Sequence, residues 1–230
     1  MKALLLVSTL AGLALLGCRN APECDPPHPK APNAGAPESV AVIPNPDEID
    51  ASQLSPFEDP ATGLYGYSDA YGVILLPAIY PMAFEFNEHG LAAVVLNQRW
   101  VYIDKRGREI IHPVIYDNGP DPFQDGLARF EGDAKIGYFN EKGEIVIPPT
   151  FDYAFPFAEG RAVVCQGCTV EMMDEYAIHK GGRWGYIDTS GQVVIPLDYA
   201  FANDFMDGRA AVTHLDGRAS DIDRDGKILE

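Results

Sequence analysis

The sequence predicts an all-β protein, built as an array of antiparallel β-meander repeats of about 35 residues each. Glycine and proline are abundant, with 22 Gly and 19 Pro in 230 residues, which favours many short elements joined by tight turns. A short motif recurs along the chain, and around it apolar and polar residues alternate with the period of two that is typical of strands. We expect the repeats to form an open, solenoid-like stack, with a propeller-like closed arrangement as the alternative.

Residues 1–17 predict a lipoprotein signal peptide. A basic start is followed by an apolar run from Ala3 to Leu16, which is too short for a permanent membrane-spanning helix. The run ends in Leu-Leu-Gly before Cys18, which resembles the bacterial lipobox. The resemblance implies cleavage before Cys18 and acylation of its sulfur, so that the exported protein is anchored in the lipid bilayer. Arg19, standing where an inner-membrane retention signal has Asp, favours the outer membrane; the alternative is an ordinary signal peptide with a chance cysteine.

Residues 18–60 predict a disordered tether behind the lipidated cysteine. Ten of the 42 residues from Arg19 to Pro60 are proline, and aromatic residues are almost absent. Such a segment buries too little apolar surface to fold, and proline biases it toward an extended conformation. We therefore expect a spacer between the membrane and a β domain at residues 61–230.

The recurring motif consists of an aromatic or apolar residue, a small or apolar residue, a tyrosine, another residue and then Asp or Asn. Four copies begin at Tyr65, Trp100, Ile136 and Trp184, and a degenerate fifth copy begins at Ala219. The tyrosines at the third place of the motif are Tyr67, Tyr102, Tyr138 and Tyr186. A glycine follows the acidic place three residues later, at Gly72, Gly107, Gly143, Gly191 and Gly226. In the first four copies, a β-branched run then ends in proline and leads to a Gly-Leu-Ala or Gly-Arg-Ala step.

This pattern resembles the WG repeat, a bacterial repeat named for its Trp-Gly pair. Only Trp184-Gly185 keeps the full pair, because Val101 replaces the glycine in the second copy and Ile136 replaces the tryptophan in the third. The resemblance runs from residue 63 to the end of the sequence. It implies copies near 63–97, 98–134, 135–182 and 183–216, with a partial copy at 217–230.

Each copy is expected to fold as a three-stranded meander. Alternation places Trp100 and Tyr102 on one face of a strand and Val101 and Ile103 on the other. The glycine forms the turn, and the proline is expected to end strand pairing because it lacks an N–H. Stacked neighbours would bury the recurring aromatic residues as core, with glycan stacking as the alternative. The predicted core residues are Tyr65, Tyr67, Trp100, Tyr102, Tyr138, Trp184 and Tyr186.

One interval between copies is longer than the others. The motif starts are spaced by 35 or 36 residues, except that Trp184 follows Ile136 by 48. The excess falls at residues 165–182, where it is expected to extend a hairpin tip, and loops on a rigid scaffold are where function concentrates. The candidate binding residues of this tip are Gln166, Glu171, Asp174, Glu175, Tyr176, His179 and Lys180.

Cys165 and Cys168 are expected to form a disulfide, the default for an exported protein. The alternatives are a redox pair and half of a zinc site, whose two further ligands would be His179 with Asp174 or Glu175; no metal or other cofactor is predicted. Near the end of the chain, an Asp-x-Asp-x-Asp-Gly run around Asp223 resembles the first half of a calcium loop. The repeat pattern explains Asp223 and Gly226 without calcium, because they occupy the acidic and glycine places of the other copies.

Composition and motifs narrow the function. With 17 Lys and Arg against 34 Asp and Glu, the net charge is −17, which argues against nucleic acid as a partner. No catalytic signature is evident, so we expect a non-catalytic module that binds an envelope protein or glycan. The alternative is a thiol- or metal-dependent envelope enzyme centred on Cys165, Cys168 and His179.

Overall fold

The computed structural model of the protein describes residue 45, residues 48–173 and residues 176–230, and for residues 172, 173, 176 and 177 it describes the backbone alone. The predicted signal peptide, Cys18 and most of the predicted tether lie outside the described residues. Within these ranges, no helix is long and apolar enough to cross a membrane.

The described chain is all-β, as predicted, with one short 3-10 helix at Ala51–Gln53. Its strands in chain order are β1 (Leu54–Asp59), β2 (Leu64–Asp69), β3 (Ile74–Tyr80), β4 (Met82–Ala83), β5 (Leu91–Leu96), β6 (Arg99–Asp104), β7 (Glu109–Ile111), β8 (Ile115–Tyr116), β9 (Gly119–Pro120), β10 (Leu127–Gly132), β11 (Lys135–Asn140), β12 (Ile145–Phe151), β13 (Tyr153–Ala154), β14 (Ala162–Met173), β15 (Tyr176–Ile187), β16 (Val193–Ala202), β17 (Arg209–His214) and β18 (Ala219–Asp223).

All strand pairs are antiparallel, and neighbours in the chain are neighbours in the sheets. The sheets are β1-β2-β3, β4-β5-β6-β7, β8-β9, β10-β11-β12 and the six-stranded β13 to β18. Each sheet is offset from the sequence repeat by one strand, because the last strand of one copy pairs with the first strand of the next. Two of these hairpins, β5–β6 and β10–β11, have two-residue turns; Asn97 and Gln98, for example, both have positive φ, which suits a turn that follows the twist of the strands.

The folded domain begins earlier than predicted. β1 lies inside the segment that was expected to be tether, and it pairs along its whole length with β2, from Leu54↔Asp69 to Asp59↔Leu64. Leu54 and Ala51 are buried against the first sheet, so this stretch has the apolar contacts that the proline content seemed to exclude. Pro56 is tolerated because β1 is an edge strand.

Successive sheets pack against one another through both faces of their strands. On β6, Val101 and Ile103 join the cluster that contains Tyr67 of the first sheet, whereas Tyr102 contacts Phe139 of the sheet β10-β11-β12. The predicted core residues are all at least partly buried in such clusters. Six are buried, namely Tyr67, Trp100, Tyr102, Tyr138, Trp184 and Tyr186, and Tyr65 is partly buried.

The repeat tyrosine has a specific role in three copies. The hydroxyls of Tyr67, Tyr138 and Tyr186 donate to main-chain carbonyls 17 residues further on, at 2.6, 2.6 and 2.7 Å. These bonds join the motif strand of each copy to the connection that leads into the last strand of the same copy. Burial raises the pKa of all three tyrosines, which keeps them as donors.

The acidic residue and the glycine of each copy form one turn. In the last copy, Asp223 Oδ1 accepts the backbone N–H groups of Asp225 and Lys227 at 3.0 and 2.9 Å, and Gly226 has φ +79°. Asp69, Asp104, Asn140 and Asp188 make the same pair of bonds in the earlier copies. The Asp-x-Asp-x-Asp-Gly segment around Asp223 therefore has the geometry of the repeat turn.

The expectation that proline ends pairing was wrong. β3, β12 and β16 continue past Pro77, Pro148 and Pro196. They do so through a bulge. On β11, Ile136 and Tyr138 are two residues apart, whereas their partners on β12, Phe151 and Ile147, are four residues apart. The extra residues leave the ladder where the proline lacks an N–H.

The glycine of the Trp-Gly pair makes room for this bulge. A Cβ at Gly137 would lie 2.5 Å from the carbonyl oxygen of Ile147 and 2.7 Å from the nitrogen of Pro149. Gly66 and Gly185 are equally confined, with a backbone oxygen 2.6 Å from the place of a Cβ. The following strand thus lies directly over the glycine.

Candidate binding cleft

The second copy lacks this glycine, and its sheet is different there. Val101 occupies the place and is buried among the residues of the first two sheets. The following strand, β7, has only three residues and pairs only through Tyr102↔Ile111 and Ile103↔Glu109. The pairing that the other copies make at the first motif position is missing at Trp100, because a side chain at Val101 occupies the space that the bulged strand needs.

The second copy also contains one additional residue. Tyr116 follows Trp100 by 16 residues, whereas the corresponding aromatic residue follows the motif start by 15 in the other copies, as from Tyr65 to Tyr80. The addition lies before the proline, so His112 stands where the other copies have Pro. Since a slip of one residue turns every side chain of a strand to the opposite face, this segment does not complete the edge of β6.

The displaced segment joins the next sheet instead. Pro113 forms a bridge with Phe130 on β10, and Val114 N–H donates to the carbonyl of Arg129 at 3.0 Å. The chain then turns back through the β8–β9 hairpin, whose turn residues Asp117 and Asn118 both have positive φ.

A buried ion pair fixes the segment in this position. Arg129 donates to Asp121 from Nη2 at 2.7 Å and from Nε at 2.9 Å, and Nη1 donates to the carbonyl of Ala154 at 2.9 Å. Asp121 is fully buried and Arg129 is 5% exposed. Burial acts to lower the pKa of Arg129, but the hydrogen bond and charge of Asp121 outweigh it and the pKa is raised. Both charges are therefore compensated inside the protein.

Between β6 and the displaced segment lies a cleft of about 990 Å³. This volume is at the upper end of the range for small-molecule sites, and a short extended peptide also fits such a space. Its walls include Trp100, Ile115, Ile136, Tyr153, Val170 and His179, and its rim carries Arg99, Glu131 and Asp133. The second copy, the third copy and the long hairpin all contribute.

Aromatic rings form two parts of the wall. Trp100 stacks on Phe84 with ring centroids 5.2 Å apart, and its Nε1 donates to the carbonyl of Asn118 at 3.0 Å. Tyr153 stacks on His179 at 3.4 Å with the planes 21° apart. Burial lowers the pKa of His179, which favours the neutral imidazole in this stack.

The edge of β6 is partly covered by a side chain. His112 Nδ1 lies 3.2 Å from the carbonyl oxygen of Trp100, and His112 Nε2 lies 3.4 Å from a carboxylate oxygen of Glu109. In the other copies a strand pairs with the residue at this position. Beside Trp100, the ring of His112 thus lies where the other copies have the backbone of a paired strand.

The insertion is a continuation of the β14–β15 hairpin, as its position predicted. Cys165 and Cys168 form a disulfide that spans Gln166 and Gly167 on β14, and the pairs Gln166↔Arg183 and Cys168↔Gly181 keep the register of the hairpin. Gly167 N–H donates to Asp152 Oδ2 at 2.6 Å. Lys135 forms an ion pair with the other oxygen of Asp152, and this bond, with that of Gly167, lowers the pKa of the carboxyl group. These contacts hold the base of the hairpin beside the cleft.

The predicted tip residues are only partly brought together. His179 lies in the cleft wall, whereas Lys180 and Glu171 pair with each other at 2.7 Å on the exposed hairpin. Gln166 is exposed at the base. Asp174, Glu175 and the side chain of Tyr176 lie outside the described residues. Ile115, Tyr153 and Val170 were not among the predicted site residues, although the additional residue before Pro113 is a sequence signal for the cleft.

The structure shows where the residues of the enzyme hypothesis lie. Cys165 and Cys168 are bonded to each other, and the His179 ring is stacked on Tyr153. Within the described ranges, the group able to hold a metal ion is Glu88, His89 and Glu141, and it includes none of the residues of that hypothesis.

Comparison with known proteins identifies the repeat. The model of the WG containing repeat family matches residues 65–100, 102–135, 136–167 and 184–217, together more than half of the chain. No curated protein matches. Among solved structures, the computationally designed Ika4 protein is 10% identical over 58% of this chain and 85% of its own, with a TM-score of 0.31. BamB from Moraxella catarrhalis is 14% identical over 74% of this chain and 70% of its own, with a TM-score of 0.26.

Proposed function

We propose, from the premise that this chain belongs to the WG containing repeat family, that it is an exported lipoprotein whose repeat domain is a non-catalytic binding module of the cell envelope. The cleft between the second and third copies is its binding site. Acylated Cys18 anchors it to a lipid bilayer, preferentially the outer membrane, and the proline-rich segment separates the domain from that membrane. The ligand is an envelope protein or glycan.

One observation carries this proposal. The cleft lies where the regular repeat is interrupted, by Val101, by the additional residue before Pro113 and by the hairpin at residues 165–182. Each interruption removes regular pairing or adds chain. The segment at Pro113 and the hairpin line one cavity with aromatic walls and a charged rim, and Val101 adjoins Trp100 of its wall. Sites built on a rigid scaffold by irregular segments are typical of binding proteins.

Binding is tested with a pair of matched variants. Val170 and Val193 are both strand valines, 57% and 52% exposed, but only Val170 lines the cleft. Val170→Glu introduces a charge into the cleft wall, whereas Val193→Glu introduces the same charge elsewhere. Immobilised wild type and both variants are incubated with solubilised envelope proteins and with purified envelope glycans. A ligand that is lost with Val170→Glu and retained with Val193→Glu supports the proposal, and the absence of any such ligand contradicts it.

Anchoring is tested separately at Cys18. Cys18→Ser is expected to move the protein from the membrane fraction to the soluble fraction and to abolish labelling by a fatty acid. Cys24→Ser, a change to the other cysteine of the N-terminal segment, is the control and leaves both unchanged. Membrane association that survives Cys18→Ser would contradict the anchor.

A further inference from the structure

The cleft lies where the other copies have a paired strand. In three copies the first motif residue pairs with an aromatic residue on the next strand, through Tyr65↔Tyr80, Ile136↔Phe151 and Trp184↔Tyr199. At Trp100 this pairing is absent, and the cleft opens beside it. The residues of β6 that follow, Tyr102 and Ile103, are paired in the same way as in the other copies. The defect is thus confined to the end of the strand that borders the cleft.

We infer that the cleft binds an extended peptide segment of a partner protein, which adds to the edge of β6 at Trp100 as the missing strand. This inference rests on the proposed function and specifies its ligand. Addition of a strand to an open sheet edge is a general mode of peptide recognition, in which main-chain bonds provide affinity and side-chain pockets provide specificity. The imidazole of His112, at 3.2 Å from the Trp100 carbonyl, stands where an amide of such a peptide would donate.

The other copies show which peptide fits. The strand that lies in this place contains a proline followed three residues later by a tyrosine or phenylalanine. The three examples are Pro77 to Tyr80, Pro148 to Phe151 and Pro196 to Tyr199. The backbone of the aromatic residue pairs with that of the first motif residue, and the proline lies in the bulge. A partner segment with the pattern Pro-x-x-aromatic therefore reproduces the contacts that this fold already makes.

The charges around the cleft favour a basic segment. The rim carries Glu131 and Asp133, neither of which forms an ion pair within the described residues, against the single cation Arg99. The whole chain has a net charge of −17, which adds a long-range attraction for cations. The chain's own proline-rich segment, residues 19–60, does not contain Pro-x-x-aromatic, so the pattern points to a segment of another protein.

The probe is a synthetic peptide with the sequence of residues 145–151, Ile-Val-Ile-Pro-Pro-Thr-Phe, extended by two lysines. Its binding to the full-length protein in detergent is measured by isothermal titration calorimetry. A second peptide carries an N-methyl group on the phenylalanine amide, which removes one strand hydrogen bond. A third has one glycine inserted between proline and phenylalanine, which shifts the register by one residue.

The expected result is saturable binding of the first peptide, with affinity about tenfold lower for each altered peptide and for Val170→Glu. Val193→Glu binds the first peptide as the wild type does. Equal affinities for all three peptides, or no binding of any, overturns the inference. If envelope ligands still distinguish Val170→Glu from Val193→Glu in that case, the proposed binding function stands and only the strand-addition inference fails. If neither experiment distinguishes the two variants, both fail.

Discussion

Replacement of Gly137 by alanine tests whether the Trp-Gly glycine is required by the close approach of the following strand. The Cβ of Gly137→Ala would meet the Ile147 carbonyl oxygen at 2.5 Å and the Pro149 nitrogen at 2.7 Å. Both obstacles are main-chain atoms, so they do not move aside by a change of rotamer. Either β12 leaves β11, or the bulge shifts and disturbs the packing of Tyr138 in the core cluster beyond it.

Two opposing effects set the magnitude. Overpacking a core costs about 1–3 kcal/mol, and a backbone obstacle places this site at the upper end of that range. Loss of glycine also reduces the conformational entropy of the unfolded chain, which stabilises a compatible site by about 0.4–1 kcal/mol. The net expectation for Gly137→Ala is a loss of about 2 kcal/mol in the free energy of unfolding.

Gly119→Ala is the matched control. Gly119 also lies in a strand with ordinary φ, but the nearest atom to its added Cβ is 3.9 Å away, which is normal van der Waals contact. This variant is expected to be neutral or slightly more stable than the wild type. The difference between the two variants is therefore about 3 kcal/mol, since the entropic gain is common to both.

Urea unfolding followed by far-ultraviolet circular dichroism measures both free energies, and the slopes show whether the two unfolding transitions are comparable. Hydrogen exchange then locates the damage, which is expected at β11 and β12. If Gly137→Ala is as stable as Gly119→Ala, the close approach does not require glycine. The explanation of the shortened β7 by Val101 would then fail as well.

Three further predictions concern the turns, the buried ion pair and pH. In Gly143→Ala the new Cβ would lie 2.8 Å from Ile110 of the preceding sheet, in addition to the strain of φ +80°. Gly126→Ala is the control, because Gly126 has a similar φ of +78° but open space around an added Cβ. Chemical unfolding should therefore show a loss larger by about 1–3 kcal/mol for Gly143→Ala, and equal losses would contradict packing between repeats. Asp121→Ala leaves Arg129 buried without its partner and should cost about 3–5 kcal/mol in the same assay, while the double change Asp121→Leu with Arg129→Met should recover most of that loss. Burial raises the pKa of Tyr102 to about 12, so its contribution to stability is complete below the ordinary tyrosine pKa of 10 and is lost as pH rises from there through 12. Tyrosinate absorbance should accordingly rise together with loss of circular dichroism, and ionisation of every tyrosine at pH 10 in a folded protein would refute this.

The local structure was predictable because its signals are local. Alternation of apolar residues indicates strands directly, and Asp69 with Gly72 specifies a turn within four residues. The offset of each sheet by one strand was not predictable, because alternation does not reveal which neighbouring strand becomes the partner. The path of the chain past Pro148 was mispredicted because a single-strand rule for proline does not include a bulge over Gly137.

The cleft was harder to predict than the insertion, for a physical reason. The insertion at 165–182 adds many residues and is found by counting. The displaced segment depends on one additional residue, which shows in the sequence as an interval of 36 instead of 35 between Trp100 and Ile136. In a loop such a change is absorbed, but in a strand it reverses the face of every side chain. Its importance is therefore evident only when the strand that should contain it is known.

The features around the cleft are mutually dependent, and this dependence is the strongest physical argument that the second copy is specialised. Val101 alone would push the following strand away and leave its backbone groups without partners. Pro113 and Val114 find new partners on β10. Asp121 and Arg129 then fix the displaced chain at the cost of burying two charges, which is seldom the most stable solution available to a core. Local rules are typically broken at functional sites, and here several are broken around a single cavity.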